Sequence, residues 1–116
     1  MKVGSELLDR VVQVRGIRGA ILVAESDGLV VAEALSAGVD GAPIAALAAS
    51  LGSRIRRAAA AAGLAPPAVV QLRAERGAIL TVPAGDDLLL VAIAERQADL
   101  GRARLELRDV AARLFA

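Results

Sequence analysis

Three carboxylates and one cluster of arginines are the residues best equipped for chemistry. Asp86 and Asp87 are adjacent, and Asp27 precedes a glycine in a comparable setting. A carboxylate pair can begin a cation site, but Ca²⁺ takes roughly six to eight oxygens, and Asp is also an ordinary turn residue. These positions read as turns. Arg54-Ile55-Arg56-Arg57 is the only basic cluster. It suits an acidic partner surface or a solvated helix face, and it lacks the aromatic stacking residues of a nucleic-acid groove. Gly16-Ile17-Arg18-Gly19 and the 38–41 loop are not followed by the Gly-Lys-Ser/Thr of a phosphate cradle, so neither ATP nor GTP is expected to bind.

What is missing narrows the chemistry further. The chain has no His, Cys, Trp, Tyr or Asn, one lysine (Lys2) and one aromatic (Phe115). The commonest general base, the soft metal ligands and the usual ligand-stacking side chains are absent. The expectation is a protein that is not an enzyme and needs no metal or cofactor. The net charge of +1, from 14 basic and 13 acidic residues, gives no global field for nucleic acid or anionic membrane.

The elements that would position these residues fit one domain spanning 1–116. Its 56% hydrophobic content supports a single core. No N-terminal stretch resembles a signal peptide. The longest apolar region, 58–70, is broken by Gly63 and Pro66-Pro67, so no membrane insertion and a cytoplasmic location are expected.

Ser5 is a candidate cap for a helix over 5–15, with Leu7, Leu8, Val11 and Val12 at helical spacing. Two apolar strands over 20–24 and 29–33 flank Asp27-Gly28, a strong hairpin signal. Asp40 and Pro43 open a helix over 43–62, which Gly63 and the two prolines end. Strands over 68–75, 78–82 and 88–94 follow, and a helix over 98–114 closes the chain. Oppositely charged residues four apart, Glu6 with Arg10, Arg102 with Glu106 and Asp109 with Arg113, are expected to support the two terminal helices. The class is α+β in the order α-β-β-α-β-β-β-α, a five-stranded antiparallel sheet with helices on both faces.

On the long central helix, Ile44, Leu47, Ala48, Leu51, Ile55, Ala58 and Ala62 form a stripe expected to face inward. The other side then carries Ala46, Ala49, Ser50, Ser53, Arg56, Arg57 and Ala60, with no acidic residue between Gly41 and Leu64. Small side chains let a second backbone approach closely, and Gly52, which costs about 1 kcal/mol against Ala inside a helix, calls for such a reason. Ala46, Ala49, Ser50, Ser53 and Ala60 are therefore candidate dimer contacts, although Ala is also simply a good helix former.

Taken together, Gly16-Ile17-Arg18-Gly19-Ala20, Asp27-Gly28, the Ala-rich helix, Gly77, Pro83-Ala84-Gly85 and Ala98-Asp99-Leu100-Gly101-Arg102 resemble the Roadblock/dynein light-chain superfamily, in particular its bacterial gliding-regulator (MglB-like) branch. The resemblance implies a profilin-like fold with strand order 2-1-5-4-3. It also implies a homodimer in which third strands pair edge to edge and central helices pack together. On such an edge Val69, Gln71, Arg73 and Glu75 share one side, and a two-fold axis near Ala74 would set Arg73 and Glu75 opposite their counterparts. The implied function is a non-catalytic dimeric regulator or scaffold for a small Ras-like GTPase; the basic cluster on the acid-free helix makes Arg54, Arg56 and Arg57 the candidate partner contact. The alternative is a dimerisation adaptor that recruits another protein without affecting a GTPase.

Overall fold

A computed structural model describes the backbone of residues 2–114 and the side chains of 6–114. The elements are α1 (Lys2–Val12), β1 (Ile17–Ala24), β2 (Val30–Leu35), α2 (Gly41–Ala61), β3 (Val70–Ala74), β4 (Gly77–Pro83), β5 (Leu88–Glu95) and α3 (Leu100–Arg113). Their order is the expected one. The five strands form a single antiparallel sheet in the order β2-β1-β5-β4-β3. The strand order implied by the resemblance is therefore present.

The near-continuous apolar runs of β1 and β5 place them at the centre, covered on both faces. One face packs Leu22, Leu80, Leu90 and Ala92 against Leu8 and Val11 of α1 and Leu107 and Val110 of α3. The other packs Ile21, Val23, Leu89 and Val91 against Ala45, Ala48 and Ala49 of α2. On this second face the sheet supplies the large side chains and the helix the small ones.

Several boundaries differ from expectation. The first helix begins at Lys2, so Ser5 lies inside it and is not its cap. Asp40 caps α2 as expected, accepting from the Ala42 N–H. At the far end the Leu64 N–H returns to the Ala59 carbonyl and the Gly63 N–H to that of Ala60, closing the helix. The last helix starts later than its apolar pattern suggests, because Asp99 caps it through the Arg102 N–H at 3.0 Å. The third strand is shorter than 68–75. Its register sets Val70 opposite Thr81, so Ala68 would face Pro83, which has no N–H to donate.

The charged pairs also redistribute. Arg113 meets Asp109 at 2.9 Å, one turn away, as expected. Arg10 passes over Glu6 and joins α1 to α3, donating to Glu106 at 3.0 Å and to Asp109 at 2.9 Å. Glu106 is thereby taken from its expected partner Arg102. The Arg113 hydrogen bond holds the Asp109 carboxyl below the ordinary carboxylate range. Arg10 adds to that effect, and desolvation opposes it.

Candidate interaction surfaces

The orientation of α2 decides which surfaces are available, and it differs from the expected one. The face against the sheet is Gly41, Ala45, Ala48 and Ala49. Ala49, expected at a dimer contact, is 5% exposed within the chain's own core, while Leu47, expected inside, is 47% exposed. The Ile44–Leu47–Leu51–Ile55 stripe does exist. It is turned roughly a third of a revolution off the sheet, at about 100° per residue. It flanks the β3 end, where Ile44, Leu47 and Leu51 border a shallow crease with Val70, Leu72 and Ile79.

Two glycines explain the orientation. A Cβ on Gly52 would stand 3.1 Å from Leu89 Cδ1, and one on Gly28, in the β1–β2 turn, would stand 3.3 Å from the Ala46 Cα. The small residues of α2 thus seat this chain's own sheet and hairpin. Gly52 does mark a close approach, but the approaching group is Leu89.

Beyond Ala46 and Ala49, the small side opens onto a polar groove of about 540 Å³ between the hairpin and the second half of α2. Ser50 and Ser53 line it, with Glu25, Asp27 and Asp87 on one wall and Arg54, Arg56 and Arg57 on the other. Arg56 springs from the sheet-facing side of the helix. Its guanidinium is hydrogen-bonded to Glu25, whose side chain is only 7% exposed. Across the same wall the Ser26 hydroxyl donates to Asp87 at 3.1 Å. Of the three arginines expected at a partner contact, Arg56 is therefore engaged inside the chain. Arg54 and Arg57 are exposed, with no ion pair among the described residues. Ala60 is exposed nearer the end of α2, away from the stripe.

At the sheet edge, Val70, Leu72 and Ala74 share the α2 side. Val69, expected to be free for a partner, packs against the α1–α3 core. Gln71 is half-buried and Arg73 exposed. Glu75 falls in the β3–β4 turn, which leaves Leu72 at the midpoint of the strand and Ala74 at its end. The apolar residues at this end, exposed Leu47 and Leu72 with half-buried Leu51 and Val70, were not among those expected at a contact surface. The signal that could have found them is the combination of Gly52 with three alanines on one helix face, which marks the side of closest packing.

Among the described residues no cluster of three or more His, Cys, Asp or Glu is placed to hold a metal ion. No helix there is long and apolar enough to cross a membrane.

A sheet in this order, with one helix on one face and two on the other, defines an architecture that known proteins share. The Roadblock/LC7 domain profile matches residues 4–94, and the chain belongs to that family. The MglB-like branch that the motifs resemble is represented among its neighbours. A structure titled MglB with tetrameric arrangement superposes with a TM-score of 0.87 at 25% identity, over 97% of this chain and 85% of that one. The Roadblock/LC7 domain from Streptomyces avermitilis gives 0.85 at 24% identity, over 95% and 92%. In sequence, an uncharacterized protein of Methanocaldococcus jannaschii is 30% identical over 114 residues, covering 95% of this chain and 98% of that protein.

Proposed function

We propose that the chain is a non-catalytic regulator or scaffold for a small Ras-like GTPase in the cytoplasm, and that it acts as a homodimer. The observation that carries the dimer is the apolar surface formed by exposed Leu47 and Leu72 with half-buried Leu51, beside an unpaired strand edge. An open edge invites a second strand, and a contiguous apolar patch invites burial. Antiparallel pairing of two β3 strands about Leu72 brings the two α2 helices together and covers both at once. The interface runs along the Leu47–Leu51 stripe, in place of the small-residue side.

Membership of the Roadblock/LC7 family and the MglB likeness support the GTPase as partner. It docks on the paired α2 layer, where Arg54 and Arg57 supply positive charge. The dimer then favours one arrangement of the GTPase switch loops, which changes hydrolysis or exchange through differential affinity for the two states.

The test is a titration of the protein into the small Ras-like GTPases of the same genome, with nucleotide hydrolysis and release followed separately. A changed rate, weakened by Arg54→Glu/Arg57→Glu, supports regulation. Binding with both rates unchanged favours the adaptor. No binding to the GTPase in either nucleotide state, with dimerisation intact, rejects the GTPase reading.

A further inference from the structure

The charges of this chain are sorted along the sequence. Between Arg18 and Arg54 every ionisable side chain is a carboxylate: Glu25, Asp27, Glu33 and Asp40. From Arg96 onward five arginines outnumber Asp99, Glu106 and Asp109. Folding turns this sorting into two surfaces of opposite sign.

The first is a groove of about 550 Å³ between β2 and the first half of α2. It is lined by Leu29, 63% exposed, and Val39 together with Asp27, Glu33 and Asp40, and by no basic residue. The second is the crest of α3 on the opposite face of the sheet. There Leu105 is 65% exposed, and Arg102, Arg104 and Arg108 around it are exposed. None of the three joins an ion pair among the described residues. Neither surface includes the Leu47–Leu72 region assigned to the dimer.

We propose that the α3 crest of one copy docks in the β2–α2 groove of another. The two surfaces are complementary in form, a convex helix against a concave groove. They are complementary in charge too, since arginines around exposed Leu105 meet carboxylates around exposed Leu29. Glu33 on the β2 edge discourages strand-to-strand pairing, so the groove is filled by side chains and not by an added strand. Because two different surfaces meet, each contact leaves one free groove and one free crest. The association is head-to-tail, building a ring or an open chain of copies, in contrast to a closed two-fold pair.

Sedimentation velocity of the purified protein tests this. At an ionic strength of about 20 mM the weight-average mass should grow with concentration, and at about 500 mM it should collapse to the base unit, because salt screens the contact. Arg104→Glu/Arg108→Glu and Leu29→Arg/Glu33→Arg should each weaken the growth at least about tenfold, since both place like charges in the contact. An equimolar mixture of the two should restore it, which loss of folding in either variant would not. Leu105→Ser should weaken growth without any change of charge. Asp27 and Asp40 are left in place, because one holds the hairpin turn and the other caps α2.

A single base species at every salt and concentration would overturn the proposal, as would growth that survives both double variants. So would binding of the crest to phosphatidylglycerol-containing vesicles without self-association, which assigns the crest to a membrane surface. The base unit itself, monomer or two-fold dimer, is read from Leu47→Glu. Failure of the dimer is thereby distinguished from failure of the head-to-tail contact.

Discussion

Gly28 and Ala46 are in near contact: a Cβ on the glycine would stand 3.3 Å from the alanine Cα and 3.6 Å from the Ala49 methyl. The hairpin tip is thus lodged on α2, and the small residues of the helix are its seat. Gly28 has φ +73, and Gly38 has φ +86 with nothing within 4 Å of its virtual Cβ. Both Gly→Ala variants meet the left-handed penalty of about 1–2 kcal/mol. Gly28→Ala must also displace the helix, and thermal unfolding should show it less stable than Gly38→Ala by about 1 kcal/mol or more. Equal losses would mean that the hairpin does not bear on α2.

The Arg56–Glu25 pair gives a second expectation. Removing the guanidinium leaves a carboxylate that is nearly enclosed without its partner. Arg56→Ala should cost about 1–3 kcal/mol in urea unfolding, and Arg57→Ala, at an exposed position, should stay within about 0.5 kcal/mol. Indistinguishable midpoints for the two variants would show that the pair contributes nothing.

Asp109 carries a pH dependence of definite sign. Its folded carboxyl titrates below the ordinary range because Arg113, and then Arg10, favour the charged form. A depressed folded pKa gives stability that is present above the unfolded value of about 3.9 and lost as pH falls through the folded value. Asp109→Asn should therefore lower the urea midpoint at neutral pH, and the gap to wild type should close below about pH 4. A gap of constant size down to about pH 2 would place the effect elsewhere than in the charge.

The order of elements, the hairpin at Asp27-Gly28 and the stop at Gly63 were legible because each rests on local chemistry. The facing of α2 was not. An Ala-rich helix offers two credible inner faces, and periodicity shows that a stripe exists without showing which neighbour it meets. The deciding fact lies on the sheet: Ile21, Val23, Leu89 and Val91 already fill the space under the helix, so only Ala45, Ala48, Ala49 and Gly52 fit against them. The Glu25–Arg56 pair joins residues 31 apart in sequence and left no local sign. Arg10 was hidden in the same way, since it passes over Glu6 for partners on α3.

In the proposed dimer Leu47 and Leu72 lie in a two-fold interface that the small-residue side of α2 does not enter. Sedimentation equilibrium at tens of micromolar protein, at an ionic strength of about 500 mM to suppress charge-driven contacts, distinguishes the two sides of the helix. Wild type should give twice the chain mass of 11.8 kDa. Leu47→Glu and Leu72→Glu should each shift it toward the monomer, because each buries an unpaired charge. Ser53→Glu, in the polar groove beside Arg54 and Arg57, should leave the dimer intact. A wild type of monomer mass would rule out the two-fold interface, and so would a dimer that Ser53→Glu breaks while both leucine variants preserve it.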